Sequence, residues 1–434
     1  MASQQQPPSD PGLPTTTPGP TPEGRRPFWL VASIAVALLV IVTIVIVAAV
    51  MGTINRSETS ATGDAVVASP HVHNPGAAAT APASAPLRAG ERFETLGLPD
   101  GGEYQPKAPN GGTDDYRCFL LDPHLTKDAT LSGVQVVPGN SDVVHHAILY
   151  RVTPSQVRSA QTLDSNSSGS GWTCFGGTLI PSPAGTNAIR ELDDAPWLAA
   201  WAPGAKESIY TPGSGVKLTA GTQIVLQMHY NLRAGQGVDN SAVKLRLSDQ
   251  TEGIESVHTM LLPAPVELPC APGESGPLCN RAAAVDDVTQ RFGQSSRSTI
   301  SGLQILCDGN PLHPRAGDTQ SCTRTMRENT RIEAAAGHMH LLGKSIAIDV
   351  NPGTPRARTV LAIDNWDFDN QGARRLPKAV DLAAGDTVRV RCTHDATLRS
   401  KLPALQGTDP RYVVWGEGTT DEMCLGVLVV THPK

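Results

Sequence analysis

Two histidines separated by one residue, His338 and His340, form the motif whose chemistry is easiest to predict from this sequence. Residues two apart in a β-strand project from the same face, so both imidazoles would point the same way. Apolar residues and glycines surround the pair, which is typical of a core strand. Imidazole binds copper, zinc, iron or nickel, so the motif would supply two ligands of a metal site. Because a single motif of this kind can also be structural, the interpretation depends on further ligands elsewhere.

Four more candidate ligands lie in other strand-like segments. His145 and His146 are adjacent, and adjacent strand residues face opposite sides, so joint metal binding requires a bulge or a strong twist. His229 belongs to an apolar segment at residues 224–230, and Met423 begins the last one. Taken singly, each of these residues also fits ordinary core packing. Together, three histidines suit copper in either redox state, whereas two histidines with a thioether favour Cu(I).

The elements that must position these ligands are predicted to be β-strands. The chain has 434 residues, which is enough for two ordinary domains with tails. Short β-branched and aromatic runs alternate with turn signals, and helical periodicity is nowhere convincing. We therefore predict an all-β fold of two tandem antiparallel β-sandwiches, at residues 91–255 and 256–434. Residues 264–330 carry four cysteines and are interpreted as a disulfide-pinned excursion at the start of the second domain.

The N-terminal segment is predicted to anchor the chain in a membrane. Residues 1–27 are rich in Pro, Ser, Thr and Gln and are predicted to be a disordered cytoplasmic tail. Residues 28–52 contain no charged residue and would form a transmembrane helix of roughly 36 Å. A cleaved signal peptide is the alternative, with residues 48–52 as a poor cleavage site. Residues 53–90 are dominated by Ala, Ser, Thr, Pro and Gly and are predicted to be a flexible linker.

Charge and cysteine distribution agree with this topology. The pair Arg25–Arg26 precedes the apolar run, so the positive-inside rule places the N-terminus in the cytoplasm of a single-pass cell-membrane protein. All eight cysteines follow the anchor, and an even number in an extracytoplasmic region predicts up to four disulfides. A net charge of −6 gives no indication of a nucleic-acid partner. His71 and His73, in the linker, are interpreted as solvated.

Five motifs in separate parts of the chain together resemble those of one protein family. They are His145-His146, Trp201-Ala-Pro-Gly204, Val225-Leu-Gln-Met-His-Tyr230, Gly337-His-Met-His-Leu-Leu-Gly343 and Asp421-Glu-Met-Cys424. In this order they resemble the copper type II, ascorbate-dependent monooxygenases, whose familiar members are peptidylglycine α-hydroxylating monooxygenase and dopamine β-monooxygenase. The resemblance covers about residues 110–434. It implies two jelly-roll-like β-sandwich domains, each holding one copper ion at their facing surfaces.

The resemblance divides the candidate ligands between two copper ions that alternate between Cu(I) and Cu(II). The ion that supplies an electron would be bound by His145, His146 and His229. The ion at which O2 and a small-molecule substrate meet would be bound by the catalytic residues His338, His340 and Met423. The implied reaction inserts one oxygen atom of O2 into a C–H bond, releases the other as water and uses an external reductant such as ascorbate.

Other residues around these ligands receive weaker predictions. Gln227 and Asp421 are candidates for holding the histidine tautomers. His394, beside Cys392, is predicted to lie at the surface, and the alternative is that it is a further partner of the ligands. By the resemblance, Cys118 pairs with Cys174 and Cys392 with Cys424. The remaining four cysteines allow three connectivities, among which loop length favours Cys270–Cys279 and Cys307–Cys322.

The sequence departs from the peptide-amidating members where they hold the peptide carboxylate. An arginine two residues before the His-x-His motif and polar residues after Met-Cys do this in those enzymes. Here Ala336 and the run Leu425-Gly426-Val427 stand at those positions. The substrate is therefore predicted to be small and neutral or apolar, and a glycine-extended peptide is a poor fit.

Two other classes of function remain open at this point. A non-catalytic copper-binding or copper-storage protein on the same scaffold would bind copper but consume no O2 with any reductant. A β-sandwich adhesion module would lose nothing measurable when His340 or Met423 is replaced. Because the full ligand set is intact, the sequence favours the enzyme over both.

Overall fold

The computed structural model describes residues 83–183, 186–203, 205–233 and 235–433. The predicted tail, the predicted transmembrane helix and residues 53–82 of the linker lie outside them, as do His71 and His73. None of the helices within these ranges combines the length and the apolar character that spanning a bilayer requires.

The described residues are mostly β-structure, as predicted. The strands of the first half are β1 Glu91–Gly97, β2 Asp114–Leu121, β3 Ala129–Val137, β4 Val144–Val152, β5 Trp172–Thr173, β6 Trp197–Trp201, β7 Ser208–Ile209, β8 Ser214–Leu218, β9 Gln223–Asn231 and β10 Ala242–Ser248. Those of the second half are β11 Glu255–Pro263, β12 Glu267–Leu268, β13 Thr319–Thr325, β14 Thr330–His338, β15 Gly343–Val350, β16 Arg358–Ile363, β17 Arg374–Leu382, β18 Thr387–His394, β19 Val413–Val414 and β20 Leu425–Thr431.

One sheet runs through both halves of the chain. Its strand order is β1-β10-β3-β8-β11-β20-β14-β17, with β7 added on β3. The halves join where β8 pairs in parallel with β11, at Ser214 opposite Glu255 and Gly215 opposite Ser256. A five-stranded antiparallel sheet, β5-β2-β9-β4-β6, belongs to the first half, and a four-stranded one, β13-β18-β15-β16, belongs to the second. His338 therefore lies at the end of β14 in the continuous sheet, whereas His145, His146 and His229 lie on β4 and β9 of the five-stranded sheet.

Four α-helices interrupt the strands of the described residues, where the sequence shows no convincing helical periodicity. They are α1 Val157–Ser165, α2 Ala188–Asp193, α3 Arg281–Phe292 and α4 Gln294–Leu306. The last two lie in the segment that was interpreted as a disulfide-pinned excursion. The side chain of Asn280 caps α3 by accepting from the N–H groups of Ala282 and Ala283 at 2.9 and 3.2 Å. The buried face of α3 is mostly alanine and valine, so its periodicity is weak in the sequence.

Candidate metal centre

The three histidines of the first half converge on one point. Their Nδ1 atoms lie 3.0 Å apart between His145 and His229, 3.1 Å between His145 and His146, and 3.2 Å between His146 and His229. These three contacts cannot all be hydrogen bonds, because each needs one donor and one acceptor and a ring of three leaves two like atoms facing each other. With metal–nitrogen bonds of about 2.0–2.1 Å, the same spacings subtend angles of about 95–105° at one ion. The triad thus fits a metal ion bound through three Nδ1 atoms.

A β-bulge on β4 makes this convergence possible. The pairing of β4 with β9 shifts register between Val144, which lies opposite Tyr230, and His146, which lies opposite His229. Such a bulge re-aims side chains, so the adjacent His145 and His146 turn toward the same partner. The irregularity that joint metal binding requires is therefore present in the strand.

Strand β2 orients the third histidine of the triad. The Nε2 atom of His229 lies 2.8 Å from Oδ1 of Asp114, and the Tyr116 ring stacks on the imidazole with centroids 4.0 Å apart. Burial alone would raise the pKa of Asp114, but hydrogen bonds from His229, Thr419 and Thr113 hold it well below its usual value. An ionised Asp114 accepts the Nε2–H of His229, which leaves the Nδ1 lone pair for a metal.

The two histidines of the second half differ from the triad, because Nε2 rather than Nδ1 is the nitrogen available to a metal ion. Nδ1 of His338 contacts Oε1 of Gln371 at 2.5 Å, and Nδ1 of His340 contacts the main-chain oxygen of Asp421 at 3.2 Å. Both Nε2 atoms are buried and have no hydrogen-bond partner in the described part of the chain. The ring centroids of His338 and His340 are 5.0 Å apart. A pair of unpartnered, buried imidazole nitrogens fits two ligands of one metal ion.

Burial also keeps these imidazoles in the form that binds metal. Burial lowers the pKa of four candidate ligands below the ordinary histidine value, namely His145, His146, His338 and His340. The neighbouring histidines lower these pKa values further. A neutral imidazole is the metal ligand, so no proton has to leave at neutral pH before an ion binds.

Met423, the third predicted ligand of the second site, is buried two residues before the last strand, β20. Its neighbour Cys424 is bonded to Cys392, and His394 places Nε2 3.2 Å from the Met423 main-chain oxygen. His394 is only 2% exposed, so its prediction as a surface residue was wrong. The role of Met423 as a metal ligand stays a prediction.

Glu422 ties the Met423 loop (residues 415–424, between β19 and β20) to the His-x-His motif, and no pattern in the sequence indicates this role. Its carboxylate accepts from the main-chain N–H of His340 at 2.8 Å and of Leu342 at 2.5 Å, and it lies 3.3 Å from Nε2 of His394. The carboxylate therefore fixes the turn that carries His340.

The other predicted partners of the histidines have different contacts. The side chain of Gln227 accepts from Tyr150 at 3.3 Å and donates to the Cys174 main-chain oxygen at 3.0 Å. The Asp421 carboxylate binds the guanidinium of Arg291 on α3, and only its main-chain oxygen contacts His340. Asp114 and Gln371 are the side chains that hold histidine tautomers. They went unpredicted because they lie 115 and 33 positions from their partners.

The two groups of candidate ligands lie side by side in one buried region. The rings of His146 and His338 have centroids 6.4 Å apart. All six candidate ligands are buried, and the most exposed of them, His145, is 7% accessible. Phe368 stacks on His145 at 4.7 Å, and Trp366 donates to the main-chain oxygen of His340 at 3.1 Å. The segment between β16 and β17 therefore covers ligands from both halves.

All four predicted disulfides are present in the structure. They are Cys118–Cys174, Cys270–Cys279, Cys307–Cys322 and Cys392–Cys424. Two of them lie close to the candidate site, since Cys424 follows Met423 and Cys118 is on β2 with Asp114, the partner of His229. These crosslinks limit the motion of the strands that carry the site.

The residues at the predicted substrate positions are apolar and buried. Ala336 lies opposite Val427 across the β14–β20 pair and is 1% exposed, while Leu425 lies opposite His338. Neither strand offers a cation at these positions that could pair with a carboxylate.

Comparisons with known proteins agree with the geometry of the second half. Residues 315–430 match the family described as copper type II ascorbate-dependent monooxygenase, C-terminal domain. The matched range includes His338, His340 and Met423, and it confirms the resemblance predicted from the sequence. This part of the chain is thus similar to the C-terminal domain of these monooxygenases. No curated protein matches the chain.

Similarity to solved structures is weak. An allantoicase shares 11% identity over 76% of this chain and 90% of its own, with a TM-score of 0.18. The allantoicase of Saccharomyces cerevisiae shares 9% identity over 79% of this chain and 90% of its own, with a TM-score of 0.17. A triple jelly-roll structure from an archaeal virus shares 8% identity over 79% of this chain and 56% of its own, also with a TM-score of 0.17. Structures this dissimilar carry no argument about function.

Proposed function

We propose that this chain is a copper-dependent monooxygenase that hydroxylates a C–H bond of a small, neutral or apolar substrate with O2 and an ascorbate-like reductant. The observation that carries the proposal is the pair of buried imidazole clusters, with the rings of His146 and His338 6.4 Å apart. The match of residues 315–430 to the monooxygenase family supports copper as the metal.

Two copper ions would be held, one by His145, His146 and His229 and the other by His338, His340 and Met423. When bound, copper supplies one-electron redox chemistry and the activation of O2. The protein contributes ligand type and orientation: Asp114 fixes the tautomer of His229, and Gln371 contacts Nδ1 of His338. Burial of all the ligands keeps bulk water away from the reacting groups.

The apolar surroundings support a neutral or apolar substrate. Ala336, Leu425 and Val427 are each at most 3% exposed and offer no charge. Burying a substrate carboxylate among them without a cation would be costly, so charged substrates are disfavoured at this position. Hydroxylation of glycine-extended peptides at useful rates would contradict this part of the proposal.

We also propose that the enzyme acts outside the cell membrane, tethered by residues 28–52. Four disulfides in the described residues are consistent with an oxidising compartment. Fusing a reporter of compartment to the C-terminus tests this, and a cytoplasmic reporter signal would contradict it.

The deciding experiment is O2 uptake by a purified soluble form that begins before Ser84. This start is chosen because Ala85 donates to Glu207 at 2.6 Å and Arg246 binds main-chain oxygens of Ala85 and Pro86. The copper-loaded protein is expected to consume O2 with ascorbate and to release a hydroxylated product from some members of a panel of neutral substrates. Copper binding without O2 uptake, for any reductant, would instead indicate a copper-storage protein.

A further inference from the structure

Two side chains of strand β2, Asp114 and Tyr116, contact different parts of the His229 imidazole. Asp114 and Tyr116 are two residues apart on β2, so they project from the same face of the sheet. Tyr116 lies directly opposite His229 in the β2–β9 register. Oδ1 of Asp114 lies 2.8 Å from Nε2 of His229, and the Tyr116 ring stacks on the imidazole with ring centroids 4.0 Å apart. The position of His229 is therefore set by one short piece of strand.

The same two side chains also bind the loop that leads to Met423 in the other half of the chain. Thr419 donates to Oδ1 of Asp114 through its hydroxyl at 2.8 Å and through its main-chain N–H at 3.2 Å. The Tyr116 hydroxyl donates to the main-chain oxygen of Glu417 at 2.9 Å. Asp114 is 4% exposed and Thr419 is 2% exposed, so water does not replace these bonds readily. Oδ1 of Asp114 is thus shared between a ligand of one site and the loop of the other.

The loop itself is held firmly on its far side. Arg291 of α3 binds both carboxylate oxygens of Asp421, at 2.6 and 2.8 Å. The Asp421 carboxylate in turn accepts from the main-chain N–H of Gly418 at 3.1 Å. A displacement of Thr419 would therefore also displace Asp421 and Met423, because these contacts limit how far the loop can deform internally.

We propose that Asp114 and Thr419 are positioning residues that tie the orientation of His229 to the loop carrying Met423. Through this link the two copper sites keep a fixed position relative to each other. This inference rests on the proposed function for the identity of the metal. In such an arrangement the hydroxyl of Thr419 acts on the first site only through Asp114, although it belongs to the second half of the chain. Tyr116 strengthens the same link through Glu417.

Thr419→Val tests the link, because valine keeps the shape and removes the hydroxyl donor. The variant is expected to bind as much copper as the wild type, to show an altered Cu(II) electron paramagnetic resonance spectrum at the three-histidine site, and to form at least twofold less product per O2 consumed. Thr419→Ser restores the donor and should recover both readouts. Thr359→Val is the matched control, since it removes a threonine donor to Asp349 at 2.7 Å on β16 of the four-stranded sheet.

A second variant keeps the test decisive if Thr419→Val does not fold. Tyr116→Phe removes the bond to Glu417 but keeps the ring on His229, and it is expected to change the same two readouts in the same direction. Wild-type spectra and product yields in both variants, or a Thr419→Ser protein that behaves like Thr419→Val, would overturn the link. A wild-type protein that binds no copper would overturn the proposed function as well, which separates the two failures.

Discussion

At the scale of single residues, the candidate site depends on side chains that the sequence pattern indicates and on partners that it does not. The histidines are visible because their type and spacing are unusual. Asp114 is hidden because a single aspartate at the start of a strand has many ordinary explanations. Its contact with His229 exists only after β2 and β9 pair, 115 positions apart along the chain. Long-range partners of this kind lie beyond what local pattern can predict.

Asp114→Asn is expected to weaken copper binding at the three-histidine site by about 10- to 100-fold, the range typical of partners that orient metal-bound histidines. An amide no longer offers a charged acceptor for the His229 Nε2–H, so the tautomer with a free Nδ1 loses its stabilisation. Competition titration with a Cu(I) chelator measures the affinity. Asp115→Asn is the control, because Asp115 is buried beside it but bonds to Tyr104 and to the Lys107 N–H. Equal affinities in the two variants would contradict the role of Asp114.

Met423→Ala is expected to abolish turnover and to lower the copper content from two ions to one. The thioether is the predicted soft ligand of the second site, whereas the three histidines do not depend on it. Metal analysis together with product formation checks this, and Met260→Ala controls for the loss of a buried methionine side chain. Loss of both coppers in equal measure would count against two separate sites.

At the scale of elements, the helices that the sequence did not predict take part in positioning the site. Helix α3 supplies Arg291, whose bidentate pair with Asp421 fixes the Met423 loop. The strands, by contrast, follow their β-branched composition closely, and the bulge in β4 was expected only as a condition for metal binding. Tertiary packing decides such helices, since their small and polar residues give little hydrophobic periodicity.

Replacing the aromatic cover between β16 and β17 should open the site. Phe368 stacks on His145, which is the most exposed of the candidate ligands. Phe368→Ala is therefore expected to speed the removal of Cu(I) by a water-soluble chelator severalfold, while Phe368→Leu, which still covers the imidazole, should change it less. Stopped-flow absorbance of the chelator complex gives the rates. Identical extraction rates in all three proteins would show that this side chain does not limit access.

At the scale of the whole molecule, the continuous sheet through β8 and β11 joins the halves that the sequence predicts as tandem sandwiches. The all-β class and the disulfide pairs follow from composition, spacing and the family resemblance. The direct contact between the two ligand groups does not, because it depends on how the halves pack. Nothing local to His146 or His338 indicates that their rings lie 6.4 Å apart.

The metal-free protein is expected to lose stability as the pH falls from about 7 to 5. Burial lowers the pKa of His145, His146, His338 and His340 in the folded state, so the unfolded chain binds more protons once the pH drops below the ordinary histidine value of about 6.5. Glu417 and Glu191 act in the opposite direction, because burial raises the pKa of both, that of Glu191 to about 7. Burial also raises the pKa of Asp115, Asp164 and Asp239, from the lower ordinary value of an aspartate. We expect the four imidazoles to outweigh these five carboxyls between pH 5 and 7, so that the net slope is positive.

Thermal unfolding in the presence of a chelator, measured between pH 5 and 8, checks this slope. His146→Asn should flatten it, since one of the four depressed imidazoles is then missing. A melting temperature that is constant or rises on acidification would contradict the buried, neutral state of these histidines.

The central claim is that two copper ions share one buried region of this chain, and metal analysis of the purified wild-type protein tests it most directly. The account predicts two copper ions per chain after loading with Cu(I) and removal of excess metal. It also predicts one ion per chain when the His145, His146 and His229 triad is replaced. A wild-type content of one ion or none would contradict it.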